Sequence, residues 1–75
     1  MIVYTKPNCV QCGATTRKMT ELGIEFEPRP LMDHPEGLTL ARENSIASAP
    51  VVDAGDRVWG GYRPDLIQEY APVMV

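Results

Sequence analysis

Cys9-Val10-Gln11-Cys12 is the stretch whose reading decides the fold. It follows an apolar, β-branched run, Met1 to Thr5, and opens a segment whose apolar residues recur at helical spacing. A Cys-x-x-Cys pair at a strand-to-helix junction in an intracellular chain reads as a thiol–disulfide redox motif. The first cysteine lies where the free N–H groups of the first helical turn point and where the helix dipole leaves partial positive charge. That environment favours thiolate over thiol, and motifs of this kind bring a cysteine pKa from about 8.5 to roughly 3.5–7.5. Cys12, one turn on, lies on the same side of the helix and can close a ring with Cys9. On this reading Cys9 attacks and Cys12 resolves.

Three other readings of the pair compete. A structural disulfide here would close a loop of only four residues. In the chain-entropy model such a loop contributes on the order of 2 kcal/mol, near the bottom of the scale. A zinc site wants four ligands, and the chain offers two cysteines and one distant histidine, His34, so no metal site is expected. Two buried, inert cysteines are not excluded by spacing alone.

The rest of the composition narrows the class. Seventy-five residues make one small domain, residues 1–75, with 44% apolar and 23% charged residues, as in an ordinary globular protein. A net charge of −3 provides no basic patch, so neither nucleic acid nor an anionic membrane is an expected partner. No apolar run approaches the ~20 residues that span a bilayer. Lys6 and Pro7 interrupt the apolar start too early for a signal peptide. Two cysteines in this spacing without an export signal point to the reducing cytoplasm, where such pairs cycle.

Along the chain, Lys6-Pro7-Asn8 ends the first strand in a turn. Cys12, Thr15 or Thr16, Met19 and Leu22 form one helical face, and Gly23 stops that helix with Ile24 as the closing apolar contact. The next extended segment, Glu25 to Pro30, carries Pro28 and Pro30 two residues apart, so both missing N–H groups face one side. It is an edge strand or else an extended loop. Asp33-His34-Pro35-Glu36 reads as a capping box with Asp33 as N-cap, opening a short helix with Leu38, Leu40 and Ala41 that ends near Asn44 in a left-handed stop. Val51-Val52 and Arg57-Val58-Trp59 form a hairpin about Asp53-Ala54-Gly55-Asp56, broken by Gly60-Gly61. Pro64 and Asp65 open a last helix buried through Leu66, Ile67 and Tyr70. The order is β-α-β-α-β-β-α. The first two strands run parallel through a right-handed crossover and the last two are antiparallel. This is an α/β fold with a four-stranded mixed sheet, helices on both faces and the second strand outermost.

This order, with Cys-x-x-Cys after the first strand and Ala49-Pro50 before the third, resembles the thioredoxin fold in its minimal, glutaredoxin-like form. Tyr4 to Cys12, Ala49-Pro50-Val51-Val52 and Trp59-Gly60-Gly61-Tyr62-Arg63-Pro64-Asp65 are similar to the NrdH-redoxin family, with Gly60 and Tyr62 replacing serine and phenylalanine. The resemblance covers nearly the whole chain. It implies a cis Ala49–Pro50 bond packed against the cysteine pair; the dipeptide by itself does not set the isomer.

The resemblance also implies a small electron carrier of the cytoplasm with a redox-active Cys9–Cys12 disulfide and no cofactor of its own. Electrons would come from thioredoxin reductase, which supplies the NADPH and FAD chemistry, and pass to a disulfide on the large subunit of a class Ib ribonucleotide reductase. A monomer is expected. The implied partner-facing residues are Lys6, Val10, Gln11, Ala49, Pro50, Trp59, Gly60, Gly61, Tyr62 and Arg63. Lys6 could lower the Cys9 pKa by its charge, or be merely solvated. Trp59 could shape a partner surface or belong to the core. Arg63 could pin the last loop through an acidic group. Two alternatives remain. Gly60-Gly61 before an acidic residue resembles the glutathione-binding turn of glutaredoxins, but Arg63-Pro64 lengthens the loop and Val10-Gln11 replaces Pro-Tyr. A copper-binding chaperone also uses Cys-x-x-Cys, but with a β-α-β-β-α-β order.

Overall fold

The computed structural model describes residues 1–72. Its elements are β1 (Ile2–Thr5), α1 (Val10–Glu21), β2 (Glu27–Pro30), α2 (Glu36–Glu43), β3 (Val51–Asp53), β4 (Val58–Gly60) and α3 (Pro64–Gln68), in the expected order. The strands form one sheet, β2-β1-β3-β4, with β1 parallel to β2 and antiparallel to β3, and β3 antiparallel to β4. The prolines decide which strand lies outermost. Glu27 N–H donates to the Met1 carbonyl at 2.9 Å and Leu31 N–H to the Thr5 carbonyl at 2.8 Å. Pro28 and Pro30 alternate with these donors, so the N–H groups they lack would have faced away from β1.

Side-chain alternation along β1 and β3 divides the core. Val3 and Val52 are register partners and are buried with Met19, Ile24, Trp59 and Ile67, beneath α1 and α3. Tyr4 and Val51, one residue along, point to the opposite face. There α2 approaches through Gly37: a Cβ added to it would lie 2.5 Å from the Tyr4 ring and 2.6 Å from Leu31 Cδ2. Helices thus cover both faces, as expected.

The α1 stop is as read from sequence. Gly23 has φ 73°, its N–H donates to Thr20 at 3.1 Å, and Ile24 N–H donates to Met19 at 2.9 Å. That pair of bonds is the Schellman motif, and Ile24 is buried as its closing contact.

The α2 start differs, and so does the residue that makes the stop, although the helix ends near Asn44 as expected. No capping box forms: Pro35 occupies the N-cap position without a side-chain cap, and Asp33 lies in the preceding turn, its N–H donating to the Pro30 carbonyl at 3.0 Å. The chain must reverse directly after β2 to lay Gly37 on Tyr4, and the Glu36 carboxylate faces Arg29 and His34 instead of Asp33. At the other end Asn44 is not left-handed. Its amide Nδ2 donates to the Leu40 carbonyl at 2.9 Å, and Ser45, at φ 56°, makes the reversal. Ser45 N–H to Arg42 and Ile46 N–H to Ala41 complete a second Schellman motif.

The hairpin is displaced by one residue. Its second strand begins at Val58, and Gly60 belongs to it, paired with Val51. A Cβ on Gly60 would collide with the Ile46 side chain. The break falls at Gly61, with φ 77°. In α3 Ile67 is fully buried and Leu66 packs on the core cluster, as does Tyr70 in the turn just beyond it.

These contacts rank the glycines. Nothing lies within 4 Å of a Cβ at Gly13 inside α1, so Gly13→Ala should stabilise the oxidised protein by up to about 1 kcal/mol. Gly60→Ala should destabilise it by about 1–3 kcal/mol through overpacking. Denaturant midpoints at unchanged slope measure both; equal midpoints for the two variants would contradict the packing described.

Candidate active site

The C-terminal ends of β1 and β4 and the start of β3 lie at one end of the sheet, and the site is assembled there. After β1, Lys6-Pro7-Asn8 turns the chain, with Asn8 at φ 58°, a left-handed conformation its short polar side chain tolerates. Cys9 then takes the extended geometry of an N-cap residue (φ −107°, ψ 106°). Its Sγ stands where a serine or aspartate oxygen would and accepts the Cys12 N–H at 3.1 Å. Cys9 and Cys12 form a disulfide with Cα atoms 5.2 Å apart. Cys9 is half-buried, while Cys12 is buried.

Two loops close on this pair. The Ala49 carbonyl oxygen lies 3.8 Å from Cys9 Sγ, and the Ala49–Pro50 bond is cis. The Pro50 carbonyl accepts the Gly61 N–H at 2.9 Å. Gln11 Oε1 accepts the Tyr62 N–H at 3.1 Å, across 51 residues of chain. The Gln11 carbonyl in turn accepts the hydroxyl of fully buried Thr15 at 2.8 Å. The redox motif, the Ala49-Pro50 loop and the Gly61-Tyr62 loop are therefore one hydrogen-bonded unit. Gln11 could be proposed from the motif, but its bond could not: the Tyr62 backbone carries no sequence signal.

The remaining expected residues divide. Val10 is 87% exposed beside the disulfide, Tyr62 is 37% exposed, and Lys6 is exposed at the first turn. Arg63 does pin the last loop: its guanidinium meets Asp65 through Nε–Oδ1 at 3.2 Å and Nη2–Oδ2 at 2.9 Å. That fork holds the Asp65 carboxyl below the usual carboxylate range. Its contribution is present above about pH 4 and lost on acidification, and in full solvent it is small. Trp59 does not face a partner. Alternation in β4 turns it inward opposite Val52, where it is 4% exposed with its ring 5.8 Å from that of Tyr70. Gly60 is turned to the other face, beneath Ile46.

Among the described residues no cluster of three or more His, Cys, Asp or Glu side chains could hold a metal ion, and no helix is long and apolar enough to cross a membrane.

A dithiol motif capping the first helix of a β2-β1-β3-β4 sheet, with a cis proline opening β3, defines a redoxin of thioredoxin-like fold. Comparison with known proteins narrows this. The glutaredoxin family model matches residues 1–59. The glutaredoxin-like protein NrdH of Salmonella typhimurium is 43% identical over 70 residues, covering 93% of this chain and 86% of the relative. The NrdH-redoxin structure from Escherichia coli superposes with a TM-score of 0.86 at 40% identity, covering 97% of this chain and 96% of that one. A glutaredoxin from Archaeoglobus fulgidus, 21% identical, shares the fold with a TM-score of 0.75 over 92% of this chain and 82% of its own. The chain belongs to the NrdH-redoxin family of glutaredoxin-like proteins.

The Gln11 bond has a local consequence. Replacing Gln11 with alanine should leave the global denaturation midpoint within about 0.5 kcal/mol of the parent and raise hydrogen exchange at the Tyr62 amide roughly five- to tenfold, the worth of one hydrogen bond. Unchanged exchange at Tyr62 would show that the loop holds without Gln11.

Proposed function

We propose that this chain is a dithiol reductase of protein disulfides, an electron carrier that takes electrons from thioredoxin reductase and delivers them to the large subunit of a class Ib ribonucleotide reductase. The observation that carries the chemistry is the Cys12 N–H aimed at Cys9 Sγ at the start of α1. In the reduced protein the same donor and the partial positive charge of the helix end favour a Cys9 thiolate. Cys9 also has the access an attacking group needs, while buried Cys12 does not.

The reaction then runs in two exchanges. Cys9 thiolate attacks one sulfur of the partner disulfide, forming a mixed disulfide and releasing the partner's other sulfur as a thiolate. Cys12, deprotonated, attacks Cys9 Sγ, closing the intramolecular disulfide and freeing the second partner thiol. Two electrons leave the dithiol and two enter the partner. The Ala49 carbonyl beside Cys9 offers a backbone acceptor to which a partner strand can bond in β fashion.

The choice of donor rests on the last helix. Glutathione is anionic, and helix N-termini with free N–H groups are natural anion sites. Here Pro64 removes one donor at the first position of α3 and Asp65 places a carboxylate in that turn. Protein partners are not hindered by either. The NADPH and FAD of the cycle belong to the reductase, and this chain works as a monomer in the cytoplasm. The NrdH name of the relatives supports the ribonucleotide reductase assignment, and the E. coli relative is described as having a thioredoxin-like activity profile.

In the reduced protein Cys9 should react with iodoacetamide at neutral pH at least tenfold faster than Cys12. Cys12→Ser should trap a mixed disulfide with its partner, and Cys9→Ser should be inert. Activity retained by Cys9→Ser would reverse the roles. Parallel coupled assays should show turnover with NADPH and thioredoxin reductase and at least tenfold less with glutathione and its reductase. The opposite ranking would make the chain a glutathione-dependent glutaredoxin.

A further inference from the structure

Of the buried side chains among the described residues, Thr15 is the one with an aliphatic hydroxyl, and it is 0% exposed. It lies on the core face of α1 between Cys12 and Met19. Packing alone does not ask for a hydroxyl there. Valine has the same branched outline and no polar atom to satisfy, and back-bonding of a threonine within a helix slightly destabilises it. The hydroxyl donates to the Gln11 carbonyl at 2.8 Å. That carbonyl and the Cys12 N–H are the two ends of one peptide group, and this N–H meets Cys9 Sγ at 3.1 Å. The helix already gives the Gln11 carbonyl its ordinary partner, the N–H four residues on. Thr15 thus adds a second donor to the far end of the amide that faces the attacking sulfur. Thr16 provides an internal contrast. Its hydroxyl bonds the Cys12 carbonyl at 3.2 Å, but the N–H of that peptide group belongs to Gly13 and is used on the Cys9 carbonyl, not on sulfur.

We propose that Thr15 is a positioning residue for the thiol chemistry, polarising the peptide group between Gln11 and Cys12 so that its N–H holds a Cys9 thiolate more strongly. The inference rests on the reading of Cys9 as the attacking thiolate and names a residue that tunes it. A peptide group whose oxygen accepts a further hydrogen bond shifts electron density toward that oxygen, which leaves its N–H the stronger donor. Linked hydrogen bonds strengthen one another in this way by about 10–30% per bond, and the effect is largest where water is excluded. Thr15, fully buried, meets that condition. Its β-branched side chain has few rotamers, so the bond also fixes the tilt of the amide it touches. A stronger donor matters most against an anion and least against a neutral thiol or a disulfide sulfur. Thr15 therefore favours the thiolate while touching neither sulfur nor substrate.

The test separates hydroxyl from shape at position 15. Threonine and serine carry the hydroxyl and valine and alanine do not, while threonine and valine share the branched outline. In the reduced protein the pH profile for alkylation of Cys9 by iodoacetamide, followed by mass on the Cys9 peptide, measures the thiolate. Besides Cys12, the charged groups on the segments around Cys9 are Lys6 in the turn before it, Arg17 and Lys18 further along α1, and the Arg63–Asp65 pair beyond Tyr62. The Ala49-Pro50 loop carries none, and no variant alters any of these groups. Thr15→Val and Thr15→Ala should both raise the midpoint of the profile by about 0.2–0.6 unit, the worth of 10–30% of a hydrogen bond to a charged group. Thr15→Ser should keep the parent midpoint, and so should Thr16→Val, whose lost bond lies on the neighbouring peptide group. The Cys12 amide proton of the reduced protein should move upfield in Thr15→Val while that of Gly13 stays in place. Midpoints that sort by shape, that are equal for all four side chains at position 15, or that shift as much in Thr16→Val would overturn the role of Thr15 and leave the redox reading standing. A parent profile with no reactive Cys9 thiolate near neutral pH would overturn the redox reading itself.

Discussion

Strand β1 is hydrogen-bonded along both edges, parallel to β2 on one side and antiparallel to β3 on the other, and the site depends on that double pairing. Because β1 and β3 are antiparallel, the end of one meets the start of the other. Cys9 follows β1 by four residues and Pro50 immediately precedes β3, so the Tyr4–Val51 pairing alone brings them to the same end of the sheet. The β3–β4 pairing adds Gly61 by the same logic, through Val51 and Gly60. Residues about 40 and 50 positions from Cys9 thus reach it through backbone registers, with few side chains needed to hold the loops. The side-chain contributions that remain are few: one amide, Gln11, and one guanidinium, Arg63.

The same double pairing makes the two faces of the sheet unequal. Alternation sends Val3 and Val52 to one side and Tyr4 and Val51 to the other. The first side receives the twelve-residue α1, capped at both ends, and α3 with its buried Ile67. The second receives the eight-residue α2, which meets the bulky Tyr4 ring and can approach only through Gly37. A glycine contact brings backbone close but buries little side-chain surface, so the hydrophobic stabilisation on that side is the smaller. In a chain of this length, where about 60% of the surface is buried at best, the main core is committed to α1 and α3, and the face under α2 is the more lightly packed.

How much of this the sequence discloses follows from how local each cause is. The redox motif, the Gly23 stop, the proline-bearing edge strand and the Pro64-Asp65 helix start are each set by a residue's own conformational or donor limits, and all are legible within a few residues. The edge position of β2 follows from two missing N–H groups alone. The misread features have distant causes. Asp33 satisfies the spacing of a capping box, but the path from β2 to Tyr4 is decided by the sheet, and the helix starts two residues late. Asn44 has the propensity for a left-handed stop, yet it spends its amide on the Leu40 carbonyl and passes the reversal to Ser45. Gly60 looks like a strand breaker because the sequence does not show Ile46 lying over it. Trp59 carries a partner-facing expectation by resemblance, while the parity of β4 relative to Val52 turns it inward. The Ala49–Pro50 isomer was likewise beyond the dipeptide and came from the resemblance of the whole chain.

The arrangement about Cys9 also bears on how little must move between redox states. The Cys12 N–H that meets Cys9 Sγ belongs to the first turn of a helix whose next bond, Gly13 N–H to the Cys9 carbonyl, is already made at 3.2 Å. When the disulfide opens, the donor does not have to be recruited, because helix geometry holds it whether or not the sulfurs are joined. A thiolate formed there meets a dipole oriented in advance, so stabilising it requires no reorganisation of the site, which is the condition under which fixed donors are most effective. The Pro50–Gly61 and Gln11–Tyr62 bonds, neither of which involves sulfur, keep the surrounding loops in place through the same change. Cys12, buried against the core end of the turn, gains access only to Cys9 and not to solvent. In the proposed reaction, resolution of a mixed disulfide would be an intramolecular step between fixed neighbours, favoured by their proximity rather than limited by encounter.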